Sequence, residues 1–564
     1  MESLPPGKLR FIPLGGVGEI GKNLYVYQVL DQLLVVDCGL KFPEERMFGV
    51  DIVVPEIRWL AENRDAIQAI IITHGHEDHI GGLAFLLPEL DVPVYGPPLA
   101  LGLARNRLGE RKLLDKVELR EFSADDVLEL GHFTVEPFRV AHSIPDSYGF
   151  AIRTPAGIVI HTGDFKLDQT PVDGQLFDIP KLSRISDEGI LAIVTDTTNI
   201  ERPGYVRSER LVEQTFERVI ADAPGRVIIA SFASQIHRMQ MAVEASAKFG
   251  RKVCAVGRSM SQNMDMASAM GYLTVPEGQR VRAEDIATIP PAKLTILTTG
   301  SQGEPLAGLS RMSEGDHRFV KIEKGDTILL SATPIPGNES AVWSVVNRLI
   351  GAGARVIYDP IMPVHVSGHG NAEELKLVLN IVNPQYVIPV HGENRMLDLY
   401  ARTAEEMGWL PEDIFQLEIG DVLELDSESG GVVDRVPAGS RLLDNGASHE
   451  IHEMVVRDRQ ILAGEGFVVV TVAIDSETGE LVGGPEFASR GVVYIDHSAD
   501  LFADATALIE DILAPGDSPE PEADDATLPR STEALQNEIR LALKKFFDKR
   551  TGHRPVILPI VLRV

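Results

Sequence analysis

Thr73-His74-Gly75-His76-Glu77-Asp78-His79-Ile80-Gly81-Gly82 packs three imidazoles and two carboxylates into the six positions 74–79, directly after the apolar run Ala69-Ile70-Ile71-Ile72. Imidazole and carboxylate are first-choice ligands for zinc and acceptable ones for manganese, and so many of them close together point to two ions. The apolar run reads as a buried strand, and the glycines after the cluster let backbone and helix pack closely. The cluster therefore belongs at the carboxyl end of a strand, where α/β folds place their chemistry. A solvated histidine-rich turn is the alternative that this setting disfavours.

Outward from the cluster, 564 residues are too many for one hydrophobic core, so two or three domains are expected. No window approaches twenty apolar residues, and Met1-Glu2-Ser3-Leu4-Pro5-Pro6-Gly7 lacks the marks of a signal peptide. A cytoplasmic protein with no membrane partner is expected. Cys38 and Cys254 each lie inside an apolar run and read as buried free thiols. A net charge of −30 argues against a phosphate-rich partner, but weakly, since screening leaves a local basic groove or bound cations free to act. Part of the acidity sits in Pro515–Asp525, which reads as a disordered loop within an acidic, proline-rich insertion near 515–530.

To about residue 205, β-like runs (Leu33–Asp37, Ala69–Thr73, Val135–Val140, Gly157–Ile160, Leu191–Thr195) end in or near polar residues. Ser208 is a plausible N-cap for a helix carrying Leu211, Val212, Phe216, Val219 and Ile220 on one face, stopped by Ala223-Pro224-Gly225. A βα alternation follows: strands at Arg226–Ser231, Lys252–Val256, Leu294–Thr298 and Thr327–Ser331, with helices from about Gln235 and Asn338. That rhythm predicts a parallel sheet and a Rossmann-like layer domain over 206–369. Helix and strand signals at Glu374–Val382 and Tyr386–Val390 lead into a less regular stretch to about Gly439, the first domain being completed over 370–445. After a linker at 446–465, residues 466–564 read as a small α+β domain, with strands at 467–473, 491–495 and 556–562 and helices near 503–513 and 533–548. Gly16-Val17-Gly18-Glu19-Ile20-Gly21 matches a dinucleotide fingerprint, but the β-like Asn23–Val29 follows where a helix is required, so a tight hairpin is expected.

His74 and His76, one residue apart in an extended loop, can share an ion, while Asp78 and His79 begin the next turn and are displaced towards a second. Later candidates are His142 closing Phe138-Arg139-Val140-Ala141-His142, Asp164 after Ile158–Gly163, and His391 after Val387–Val390. His161 and His132 are set aside as ligands. His237, His317, His449, His452, His497 and His553 lack clustered partners and read as surface or structural.

The chain resembles the metallo-β-lactamase superfamily, whose HxHxDH signature residues 74–79 meet letter for letter, with the downstream order His, Asp, His also matched. The resemblance implies an αββα sandwich in which His74, His76 and His142 hold one ion, Asp78, His79 and His391 the other, and Asp164 bridges; Asp37 corresponds to an early acidic residue that orients a ligand. The α/β segment between Asp196 and His391 resembles the β-CASP insertion of nucleic-acid-processing members. Asp196 matches motif A, the histidine of Ser367-Gly368-His369 motif B and His391 motif C, and a histidine at motif C goes with RNA. Closer still, Leu14–Asn23, Pro334–Glu339, Val364–Gly370 and Arg554–Ile560 resemble the bacterial ribonuclease J family over nearly the whole chain, the acidic insertion being the visible departure.

The function implied is a 5′-to-3′ exoribonuclease that favours 5′-monophosphorylated RNA and releases mononucleotides, with endonuclease capacity, in RNA maturation and mRNA decay. Hydroxide held between two cations attacks the phosphodiester in line, and the cations neutralise the charge that builds on its oxygens. Asp78 and Asp164 hold the ions, and His369 is the candidate general acid, with phosphate orientation as its other reading. Ser231-Phe232-Ala233-Ser234 and Ser331 lie at strand ends leading into helices, where anions bind; with His365-Val366-Ser367-Gly368-His369 opposite, they resemble the family's pocket for a 5′-terminal phosphate. Phe232 is a candidate for stacking on a base or simply for the core. Gly49 and Asp51, with Asp444, offer oxygens suited to a structural Ca2+, the alternative being a solvated loop. Single-stranded RNA is the expected partner, a homodimer and RNA-decay complexes being implied by resemblance. A metallo-hydrolase of small esters and an inactive RNA-binding scaffold are the competing readings; the first does not need the inserted domain's pocket, and the second does not need a full ligand set.

Overall fold

Alternating apolar strands from both ends of the metal-binding half pair into two sheets in the computed structural model, which describes residues 2–44, 46–302, 307–334, 338–444, 449–492, 498–514 and 531–564. The acidic insertion 515–530, His497, and parts of the 334–339 motif and of the 491–495 strand lie outside the described residues. The larger sheet has the order Gly430–Arg435, Asp421–Leu425, Leu9–Pro13, Tyr25–Val29, Gln32–Val36, Ile67–Ile71, Val94–Gly96, Leu119–Glu121. The second runs Tyr386–Val390, Ala192–Asp196, Gly157–His161, Ser147–Thr154, Phe133–Val140, Leu128–Leu130. Their facing residues, among them Phe11, Tyr27, Val36 and Ile71 from one and Phe133, Phe150, Val194 and Ile388 from the other, form one buried core. The outer face of the second sheet is covered by the helices Ile179–Ser186, Ala372–Val382 and Asn394–Met407. This is the αββα sandwich that the histidine signature predicts.

The inserted segment forms a five-stranded, all-parallel sheet in the order Lys252–Val256, Leu294–Thr298, Val227–Ala230, Thr327–Leu330, Arg355–Ile357. Its strands are near-continuous apolar runs because both faces are covered. Just before the two central strands, Arg226 donates from Nε to Asp326 Oδ1 (2.9 Å) and from Nη2 to Asp326 Oδ2 (2.6 Å), and both side chains are buried. Removing one partner strands a charge in the interior. Asp326→Ala is expected to cost about 3–5 kcal/mol, read as a lower midpoint in thermal or denaturant unfolding with the metal centre's ligands untouched.

Two compact units divide the chain: Met1–Phe42 with Ile52–Arg441, and Pro43–Asp51 with Leu442–Val564. In the second, strands Leu481–Arg490, Phe467–Ile474 and Val556–Arg563 form a sheet whose buried face (Val468, Val470, Val472, Ile557, Val561) packs on helices Ala499–Leu513 and Thr532–Thr551. Phe467–Ile474 pairs with Leu481–Arg490, a strand not expected from the sequence; its Gly483-Gly484-Pro485 has the composition of a turn but accommodates a bulged register. Residues expected as a linker contain the helix Glu453–Glu465. The stretch expected to be irregular before Gly439 holds the helix Asn394–Met407 and two strands, one of them the exposed, glycine-started edge Gly430–Arg435. Ser208 lies one residue early, Glu209 being the N-cap of Arg210–Asp222. The Gly16–Gly21 segment is a long loop and not a tight hairpin: it joins the antiparallel strands Leu9–Pro13 and Tyr25–Val29, and Val17-Gly18 pairs with Gly392-Glu393. Both cysteines are buried and free. Among the described residues no helix is long and apolar enough to cross a membrane.

Candidate metal centre

Beyond the strand Ile67–Ile71 the chain enters the signature loop, and His76 caps the short helix Glu77–Ile80. Gly75 is required by space: a Cβ there would lie 2.7 Å from Leu103 Cδ1. Strands Gly157–His161, Ala192–Asp196 and Tyr386–Val390 run parallel side by side, so their carboxyl ends bring Asp164, Asp196 and His391 to one edge. His391 (φ +50°) and Asp37 (φ +62°) both hold left-handed backbone, which for such residues costs about 1–3 kcal/mol each and is retained where geometry matters.

Seven side chains meet there, as His74, His76 and His142 in one group and Asp78, His79, Asp164 and His391 in another, each group with its ligand atoms within 4.8 Å of one another. His76 Nδ1 lies 3.1 Å from His74 Nε2 and 3.0 Å from His142 Nε2. Asp164 Oδ2 touches both groups, at 3.6 Å from His74, 3.8 Å from His142, 3.1 Å from His79 and 3.7 Å from His391. Asp78 Oδ2 is 3.2 Å from His391 Nε2.

The outward-facing nitrogens decide what the inward ones can do. The Thr73 hydroxyl donates to Asp37 Oδ2 (2.8 Å), so its oxygen accepts from His74 Nδ1 (3.0 Å). His142 Nδ1 faces the Gly368 carbonyl at 2.7 Å, and His79 Nδ1 faces Asp37 Oδ2 at 2.7 Å. The Thr198 hydroxyl donates to Asp196 Oδ1 (2.7 Å), leaving its oxygen to accept from His391 Nδ1 (2.7 Å). Each acceptor fixes the proton on Nδ1 and turns the Nε2 lone pair inward. Four lone pairs and two carboxylates converging on one point are reconciled by cations, so the residues fit divalent metal.

Charge agrees. Burial holds His74 and His142 well below the ordinary histidine range and brings His76 down to about 4, so that this triad is neutral, the ligand form. In the other group burial also opposes charging. Asp164, Asp78 and Asp37 override it and raise His79, and Asp164, Asp196 and Asp78 do the same for His391. Burial would raise Asp164 and Asp78, yet the surrounding imidazoles pull both below the carboxylate range.

Beside the seven, His369 Nδ1 is 2.7 Å from Asp196 Oδ2 and 4.0 Å from Asp164 Oδ2. Gly368 is pressed on His142, where a Cβ would lie 2.5 Å from Cε1 and 2.7 Å from Ser143 Oγ. Gly368→Ala is therefore expected to push His142 off its position, and metal quantitation should find less than the wild-type content at unchanged secondary structure. Ser231 and Ser331 lie next to each other at the ends of paired strands Val227–Ala230 and Thr327–Leu330. Ser331 Oγ donates to Val364 O (2.6 Å), Thr333 Oγ1 is 2.9 Å from His365 Nδ1, and Asn199 Nδ2 donates to Ser367 Oγ (2.8 Å). Gln235, just past Ser234, reaches Ser143 Oγ at 3.4 Å, and Ala233 O accepts from Asn263 Nδ2 (2.9 Å). Phe232 is partly exposed and outside the buried clusters. Val366 is buried with its carbonyl accepting from Arg238 (3.2 Å).

His161 lies in the core, 2.9 Å from the Tyr27 hydroxyl and held down at about 3 by burial, and His132 is on the surface. Asp51 N donates to the carbonyl of Leu443 (3.0 Å), the residue before Asp444, and Gly49 has φ +73°. Arg459 Nη1, however, donates to Phe48 O (2.9 Å), so any hard ion there shares the loop with a guanidinium. Among the described residues the clusters of three or more ligand side chains do not include Asp51 or Asp444. Thr73 and Thr198, whose hydroxyls orient His74 and His391, were not singled out by sequence reasoning. Only Thr198 had a signal, a hydroxyl two residues after the strand-end Asp196.

A sandwich with seven clustered His and Asp side chains that could hold metal is the arrangement of a metallo-hydrolase, and the parallel sheet inserted before His391 has the place of a β-CASP domain. Family models match as metallo-beta-lactamase superfamily (residues 17–216), ribonuclease J beta-CASP domain (224–349), Zn-dependent metallo-hydrolase RNA specificity domain (354–413) and ribonuclease J C-terminal domain (454–564). Ribonuclease J2 of Bacillus subtilis is 41% identical over 99% of both chains, and ribonuclease J of Thermus thermophilus 42% identical over 99% of this chain and 96% of its own. Ribonuclease J of Synechocystis is 40% identical over 98% of this chain and 86% of its own. The chain belongs to the ribonuclease J family, and is a metal-dependent ribonuclease that hydrolyses phosphodiester bonds in RNA. A crystal structure of a protein of unknown function from Enterococcus faecalis V583 shares the fold, with a TM-score of 0.53 at 16% identity over 74% of this chain and 100% of that one.

Proposed function

We propose that the enzyme degrades single-stranded RNA from the 5′ end, favouring a 5′-monophosphate and releasing mononucleotides, and also cuts internally, in RNA maturation and mRNA decay. The observation that carries the reading is the pairing of His369 with Asp196 beside the seven candidate ligands, in a segment whose Val364 carbonyl accepts from Ser331 at the end of the inserted sheet. The ligands would hold two divalent ions, zinc or manganese, one on His74, His76 and His142, the other on Asp78, His79 and His391, with Asp164 shared; bound there, they supply a water nucleophile at neutral pH and offset phosphodiester charge.

The chain's own groups do the rest. Burial disfavours a charged His369, but Asp196 and Asp164 raise it above the ordinary histidine value, which favours the protonated form an acid needs. Asp196 accepts from Nδ1, which leaves Nε2–H to protonate the departing 3′-oxygen. Ser231, Ser234, Ser331, His365 and Ser367 are the proposed anchors of the 5′-phosphate, with Phe232 available to stack on the first base. The inserted domain is taken as 206–369. Self-association through the terminal unit is part of the proposal, supported by the half-exposed Leu558, Ile560 and Leu562 on the strand Val556–Arg563.

End-labelled RNAs with 5′-monophosphate, 5′-triphosphate and 5′-hydroxyl ends test the reading. Mononucleotides should appear fastest from the monophosphate. Equal rates from all three would remove the 5′-phosphate pocket, and products of random length alone would remove the exonuclease.

A further inference from the structure

The segment 364–369 has no regular secondary structure, so its carbonyls are held by side chains. Val364 O accepts from Ser331 Oγ, Gly368 O faces His142 Nδ1, and His369 O accepts from Asn199 Nδ2 (2.9 Å). Two of the three between are held by cations: Arg238 Nη2 donates to Val366 O (3.2 Å) and Lys166 Nζ to Ser367 O (3.3 Å). Arg238 also donates to Ser331 O. Lys166 and Arg238 are each 1% exposed, and a cation that far from water needs an anion.

Glu209 is the carboxylate that reaches both, with Oε1 at 3.6 Å from Lys166 Nζ and 3.5 Å from Arg238 Nη2. It is 2% exposed, and neither oxygen makes a hydrogen bond. Two nearby acids are different. Asp168 spends its oxygens on the backbone N–H groups of Thr170 (2.9 Å) and Glu209 (3.1 Å), and Glu374 accepts from Leu167, Val206 and Asn371. Those are structural acids, with their hydrogen bonds filled. Glu209 contributes charge alone, between one cation from the sandwich and one from the inserted domain.

We propose that Glu209 is a positioning residue: it keeps Lys166 and Arg238 on the carbonyls of Ser367 and Val366 and so sets the place of His369, whose own N–H rests on Ser367 Oγ (3.2 Å). This rests on the reading of His369 as proton donor. Glu209→Gln keeps the shape, leaves Lys166 with Asp168 (3.9 Å) and takes from Arg238 its paired carboxylate. Since a displacement of about 1 Å can cost on the order of a hundredfold, kcat on 5′-monophosphorylated RNA should fall by about that factor with metal content as in the wild type, and any rise in KM should be smaller than the fall in kcat. Glu209→Asp, which keeps the charge on a shorter arm, should recover part of the rate. In a His369→Ala background, Glu209→Gln should cost nothing more, because the two act as a unit. The same fold-loss in both backgrounds, or a loss of metal alongside the loss of rate, overturns the positioning role. If Glu209→Gln does not fold, Glu209→Asp is put through the same comparison, and a rate loss that persists in the His369→Ala background again overturns it. Near-normal turnover of His369→Ala alone overturns the acid reading instead, and the positioning role with it.

Discussion

Asp164→Asn is expected to lose RNA hydrolysis by on the order of a thousandfold or more, with a bound-metal content below that of the wild type. Asp164 Oδ2 lies within 3.8 Å of an imidazole nitrogen from each ligand group, and no other carboxylate among the clustered ligands approaches His74 or His142 so closely. The amide has the same shape, so the fold should persist, and circular dichroism would establish that. What it removes is the negative charge that two adjacent cations need between them. Metal quantitation separates this from a simple active-site defect: a variant with full metal and no activity would mean that Asp164 acts on the substrate and does not hold metal.

The second large effect concerns proton supply. His369→Ala should lower kcat by about 10²–10⁴-fold while RNA affinity, measured by direct binding, changes little. Asp196→Asn is the sharper probe, because it keeps His369 and removes the first of the carboxylates that raise its pKa. An acid works while protonated, so the wild-type rate should fall as pH rises through the raised value. Without Asp196 that descending limb should move to lower pH, towards the ordinary histidine range. An alkaline limb that stays where it was would assign it to another group.

The sandwich was legible because its strands are apolar runs that end in polar residues, and the clustered His and Asp side chains because four of them crowd behind one such run and His142, Asp164 and His391 each follow another. Legibility failed where composition and context diverge. Gly483-Gly484-Pro485 is written like a turn and lies in a strand because a bulge takes up the extra length. Gly430–Arg435 is an edge strand with mostly exposed residues, so no alternation marks it. The helix Asn394–Met407 buries Met396, Leu397, Tyr400, Ala401 and Ala404, a pattern present in the sequence but overshadowed by the ligand before it. Lys166, Glu209 and Arg238 left no trace at all. Each is one charged residue among many in a chain with 53 basic and 83 acidic side chains, and only folding shows that these three are out of water together.

The inserted domain separates Asp196 from His391, although the strands that end in them are immediate neighbours in one sheet. Synthesis runs from the amino end, so a chain still on the ribosome carries His74, His76, Asp78, His79, His142 and Asp164 long before the last ligand emerges. Until that segment has been made and has slid in beside Ala192–Asp196, the second ligand group is one imidazole short. The order of the fold thus withholds a complete cutting site from the growing chain until residue 391 and the strand before it have been made.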